Sequence, residues 1–329
     1  MPLITAPFVT PPDTGEPPGG TPVPLPQIGY ATAQYTDPTG TVWPLTNWEA
    51  GWFTLADGVS GLGAVDYNLT TDAQPRGGAR LRHAQPQPRT IVWPLFVQGA
   101  DHVEFMDRWR ALATAFTRTL RVGPDGVRVP GVLEIARPDG TRRQIEVFYQ
   151  DGFEGQAKAG WGRDSDSAVL SLLCEDPYWT DPVSQTVHRE SVSSGSYFSP
   201  FPTVSSSQVL GATTVTNPGD TTVWPTWVVT GPASLITFTN TRSGEAFALN
   251  PSAAAIGHGN LLAGQQVIIR TDPPQVRYQN GDNWVGGLNW PAASLWGLAP
   301  GDNEITFALS GSGAGSAVDL VYNPRYETA

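Results

Sequence analysis

The sequence predicts a mainly β protein of two domains, the first built of strands with a single α-helix, the second a β-sandwich of jelly-roll type. Three observations carry this. Glycine (36 residues) and proline (31) punctuate short apolar runs along all 329 residues, the spacing of many strands and turns. One stretch alone has helical periodicity, and it carries a cap. Beyond residue 212 that periodicity is gone and eight short strand-like runs follow one another.

Residues 1–28 are proline-rich, with little apolar periodicity, and read as an extended arm. The N-terminal domain is expected over 29–183 and opens with a hairpin, 30–35 and 41–45, turned by Asp37-Pro38-Thr39-Gly40. Residues 56–89 hold Gly58, Gly61, Gly63, Pro75, Gly77, Gly78, Pro86 and Pro88, and read as a long loop with a short strand at 65–69. Loops of that length in a compact domain usually serve function or assembly. A strand at 89–97 leads into the helix, expected over 102–118. Asp101 is a good N-cap and Glu104 completes a capping-box pattern. Phe105, Met106, Trp109, Leu112, Ala113 and Phe116 fall on one face, with Asp107, Arg108 and Arg110 opposite, as in a helix laid across a sheet. Asp139-Gly140 tightens a hairpin between 132–137 and 142–149. A strand at 168–175 ends at Asp176-Pro177-Tyr178-Trp179.

Residues 184–211 are rich in Ser, Thr, Gly and Pro and read as a linker or loosely held crossing segment. The C-terminal domain, 212–329, is expected to run through strands at 213–217, 222–230, 236–240, 245–249, 265–271, 275–279, 304–309 and 317–322.

Composition narrows the function. Charged residues are 15 % of the chain, against about 25 % in typical domains, while tryptophans number 12. That fits a protein covered by neighbours, or alternatively a neutral Thr/Ser-rich β surface. A net charge of −11 argues against binding a nucleic-acid backbone. Cys174 is the only cysteine, so neither an intrachain disulfide nor a cysteine metal cluster is expected. The sequence opens without a basic start and apolar run, so no signal peptide is expected, and no apolar stretch has bilayer-spanning length.

Chemistry is sparse. His83, His102, His188 and His258 lie far apart, in no metal-ligand spacing. Gly311-Ser312-Gly313-Ala314-Gly315 lies between strands, whereas a phosphate cradle needs a helix N-terminus. Glu154, Asp164, Asp166, Glu175 and Asp176 are candidate glycosidase carboxylates by type only. No catalytic residue, cofactor or metal site is therefore assigned, and the protein is expected not to be an enzyme. Trp284, Trp290 and Trp296 are candidates for stacking on sugar rings, or alternatively pack the sandwich core or a subunit interface.

Two segments in order go further. The first runs from the 89–97 strand through the capped helix, the hairpin and Gly152-Phe153-Glu154-Gly155 to Leu-Leu-Cys-Glu-Asp-Pro-Tyr-Trp at 172–179. The second has Thr216-Asn217-Pro218-Gly219-Asp220, Trp224-Pro225, Gly231-Pro232-Ala233, Asn240, Leu262-Ala263-Gly264-Gln265, Ile269-Arg270-Thr271-Asp272 and the run 298–305, LAPGDNEI. Together they resemble the distal tail proteins of long-tailed, non-contractile (siphovirus-type) bacteriophages, especially those of actinobacterial phages, over roughly residues 30–325. The resemblance implies a virion protein at the distal end of the tail. Its barrel- or sandwich-like N-terminal domain would form a ring of six copies, while a galectin-like or carbohydrate-module-like sandwich would point outwards. Partners would be the tail-tube protein, the hub or baseplate, receptor-binding proteins and, less directly, host-wall glycans. The proline-rich 1–28 departs from the simplest members and would be an arm to a neighbouring subunit. Part of 56–89 and the 132–149 hairpin are expected at subunit contacts. The alternatives are a carbohydrate-binding adhesin, a tail-tube subunit and, lowest in rank, a wall-degrading enzyme.

Overall fold

The computed structural model describes residues 27–28, 31–55, 57–154, 163–191 and 210–329. Most of the arm expected over 1–28, and most of the linker expected over 184–211, lie outside these residues.

The first half holds β1 (Gln27–Ile28), β2 (Ala31–Thr36), β3 (Val42–Pro44), β4 (Trp52–Thr54), β5 (Tyr67–Ala73), β6 (Ala79–Pro86), β7 (Arg89–Gln98), α1 (His102–Thr117), β8 (Gly131–Ala136), β9 (Arg142–Asp151), β10 (Ser165–Cys174) and β11 (Trp179–Thr180). An antiparallel sheet runs β1-β2-β8-β9-β10-β7-β4. Leu45 donates to Ala33 O (2.9 Å) and accepts from Thr54 N (2.8 Å), which carries β4 back toward β2 and makes the sheet a nearly closed barrel. Period-two alternation fills its interior: Ile91, Trp93, Leu95 and Val97 of β7 face Ala168, Leu170 and Leu172 of β10.

Helix α1 begins where its cap predicts, the Asp101 carboxylate accepting from Glu104 N at 2.9 Å. Glu104 reaches back to Ala100 N rather than to the cap residue itself. Its buried face is Phe105, Trp109, Leu112, Ala115 and Phe116. Ala115 thus takes the inward place expected of Ala113, and Met106 is only partly covered. The ring of Tyr35 in β2 stacks on Phe116 (4.1 Å between centroids) and its hydroxyl donates to Ala115 O. Gly131 lets that ring lie there, because a Cβ at 131 would come within 2.3 Å of it.

The loop expected over 56–89 is corrected by the structure. Its second half is a two-stranded hairpin, β5–β6, separate from every other sheet. Strand patterning there is masked by prolines, glycines and arginines, and only Leu69 and Leu81 mark an apolar face.

The second half contains β12 (Gln185–Glu190), β13 (Ala212–Asn217), β14 (Thr226–Thr230), β15 (Leu235–Asn240), β16 (Ala246–Leu249), β17 (Gln266–Arg270), β18 (Gln275–Tyr278), β19 (Gly301–Ser310), β20 (Ala317–Tyr322) and β21 (Arg325–Tyr326). Sheets β12-β20-β14-β17-β18 and β13-β19-β15-β16 face each other across a core of Trp227, Phe238, Phe247 and Phe307. Strand β12 corrects the linker reading of its stretch, for it pairs with β20 residue by residue from Gln185↔Tyr322 to Glu190↔Ala317. Strand β21 leaves the sandwich and pairs with β11 of the first core, Trp179↔Tyr326 and Thr180↔Arg325.

Candidate functional site

The aspartates and glutamate singled out along β10 fall into two groups, one at each end of the strand. Asp164 and Asp166 sit at the start of β10 and Glu175 and Asp176 just past its end. Its ten residues hold the two groups about 30 Å apart at the usual strand rise. A glycosidase needs its two carboxyls within about 10 Å. The Asp176 carboxylate accepts two hydrogen bonds from Arg325 at 2.6 Å. Among the histidines, His188 Nδ1 lies 2.6 Å from Asp319 Oδ1, and His258 packs against the rings of Tyr278 and Trp284.

The three tryptophans proposed for sugar stacking part company. Trp284 and Trp296 are buried. Trp284 lies flat on Tyr278 at 4.5 Å and Trp296 stands edge-on to Trp227 at 5.1 Å, so neither ring face is open to a sugar. They belong to the sandwich core, and the stacking role is corrected for both. Trp290 alone stays exposed (54 %), its indole N–H donating to Val285 O at 3.0 Å.

Two surfaces stand out instead. The first is the β5–β6 hairpin, exposed along its whole length. Register puts Tyr67 opposite Pro86, Leu69 opposite Ala84, Thr71 opposite Leu81 and Ala73 opposite Ala79, so one face of the ribbon is largely apolar. The opposite face carries Asn68, Thr70, His83 and Gln85, with Asp72 opposite Arg80. A register shift after Thr70 leaves Arg82 as the extra residue, ion-paired with Asp72. Its base is held by Tyr67, whose hydroxyl meets that of Tyr178 (3.2 Å) and donates to Glu327 Oε1 (3.3 Å).

The second surface is the outward side of β9 and β10. Phe148 lies opposite Leu173 in register, and Val169, also outward, is 55 % exposed. Glu146 shares this side of β9, and its carboxyl is pushed above the ordinary range by burial first, then by the charges of Asp176 and Glu175. Apolar ground and a crowded negative edge therefore adjoin.

No known protein-family model and no characterised protein sequence matches the chain. Solved structures do. The Dit protein of phage SPP1, described as a paradigm of the hub adsorption apparatus in phages infecting Gram-positive hosts, superposes with a TM-score of 0.59 at 14 % identity, covering 90 % of this chain and 98 % of that one. A chain of the activated phage P2 baseplate with calcium gives 0.51 at 11 % identity over 89 % and 97 %. The strontium form of that baseplate gives the same score. The chain thus shares its fold, from barrel to sandwich, with the SPP1 Dit protein and with a chain of the phage P2 baseplate.

Proposed function

We propose that the chain is a structural, non-catalytic protein of the distal end of a siphovirus-type phage tail. It assembles into a closed ring, of six copies as the family resemblance implies, and joins the tail tube to the hub and receptor-binding components. In this reading 29–183 is the ring domain, 212–329 the peripheral sandwich and 1–28 an arm to a neighbour. The observation that carries it is the uncovered hairpin. A lone two-stranded ribbon is marginal in water, and one with an exposed apolar face, Leu69 57 % and Leu81 55 % accessible, calls for a surface supplied by another chain. The likeness in fold to the hub and baseplate chains supports the same conclusion.

Light scattering with electron-microscope class averages of the purified chain tests it. Closed rings of 35.2 kDa protomers are the expected result. Open filaments would point to a tail-tube subunit instead. Glycan affinity lost in a Trp290→Ala variant would point to an adhesin.

A further inference from the structure

The β5–β6 hairpin and the outward β9–β10 face are two uncovered surfaces of one chain, and they match in chemistry. Leu69, Leu81 and Val169 are each more than half exposed, so the chain does not cover one with the other itself. The hairpin carries Arg76, Arg80 and Arg82 against a single aspartate, Asp72. Two hairpins laid face to face would therefore bring like charges together, which opposes self-pairing. The sheet face has the opposite sign. Glu146, Glu175 and Asp176 crowd one edge, and among the described residues only Asp176 of the three has a cation partner, Arg325.

The geometry points to a heterologous contact: the apolar face of one copy's hairpin lies on the Phe148–Val169–Leu173 face of the next copy, with Arg76 at its tip and Arg82 at its bulge reaching the Glu146–Glu175 edge. This rests on the assembly reading above and adds the receiving surface to it. Two unlike patches on each protomer repeat from copy to copy, the arrangement that closes into a ring when the rotation allows. Burying Leu69 and Leu81 against Val169 and Leu173 removes apolar surface from both sides. The hairpin's arginines supply a cation to Glu146 and Glu175, which have none among the described residues.

Disulfide trapping tests the contact directly, because a disulfide forms only where Cβ atoms approach within about 4.5 Å. Cys174 stays silent, being fully buried with its thiol pushed up to about 12, by burial above all. Leu81→Cys and Val169→Cys are made in separate full-length chains, mixed and mildly oxidised. Thr70→Cys, on the hairpin's polar face, replaces Leu81→Cys in the control. The expected result is mixed L81C–V169C dimers at ten times the control yield or more. Glu146→Lys with Glu175→Lys should lower that yield at least fivefold.

Equal yields from the two hairpin positions, or preferential L81C self-linking, would overturn the contact. Light scattering on the same samples separates the two ideas. Oligomers without the mixed disulfide sink the receiving face and leave the assembly reading standing. A mixed disulfide between chains that scatter as monomers before oxidation, and as no more than the linked dimer after it, upholds the contact and counts against spontaneous ring closure.

Discussion

At the scale of single residues, two carboxylates respond to pH in opposite senses. Asp37, buried in the β2–β3 turn, accepts from Thr39 N and Oγ1, Thr41 N and Arg118. Burial alone would raise its pKa, but these bonds outweigh it and the net shift is downward. A depressed folded pKa contributes stability that is present above the unfolded value and lost as pH falls through the folded one. Asp37→Asn should therefore cost about 2 kcal/mol at neutral pH, a deficit that shrinks on acidification. Glu146 has the reverse sign. Its raised folded pKa makes the native state lose stability as pH rises from the ordinary carboxylate range through the folded value. Glu146→Gln should unfold at higher urea than the parent at neutral pH and match it below the carboxylate range. Urea midpoints across pH measure both. A parallel shift of the two variants would contradict the assignment.

At the scale of elements, what was legible depended on local signals. Helix α1 was readable because Asp101 and Glu104 announce its start and its aromatics repeat at helical spacing. An Asp101→Ala variant should lose about 1 kcal/mol, seen in its thermal midpoint. The eight expected strands of the sandwich were readable for a similar reason, alternation broken by Gly and Pro. The hairpin was not, because its apolar positions are few and its register shifts at Thr70, which breaks the period. The tryptophans misled differently. Sequence gives their number but not which ring Trp227 claims, and that long-range packing buries Trp296. Since the hairpin's partners among the described residues lie at its base, replacing 68–85 with a short Gly-rich turn should leave the unfolding free energy within about 0.5 kcal/mol of the parent's. Assembly measured by light scattering should be lost. A large fall in stability would mean that the ribbon supports the first core.

At the scale of the whole molecule, the two cores are tied by the last strand. Arg325 lies 4.6 Å over the Tyr178 ring while bound to Asp176, and Arg143 sits 3.5 Å over Tyr326. Arg89, buried in the first core, donates to Gly61 O, Gly63 O and Glu327 O at 2.6–2.7 Å. Nothing short of the fold reveals this tie, since two residues of β21 carry no pattern of their own. Calorimetry should show one coupled transition in the parent and two in an Arg325→Ala/Tyr326→Ala variant. Two transitions already in the parent would deny the coupling. The pairing of β11 with β21 also has a mechanical side. The chain enters the sandwich just beyond β11 and leaves it into β21, so the sandwich hangs from the barrel by two neighbouring strands, not by one thread. A pull on the sandwich is shared between two covalent connectors, and a twist must shear the hydrogen bonds between them. That is the attachment of a bracket, not of a tether.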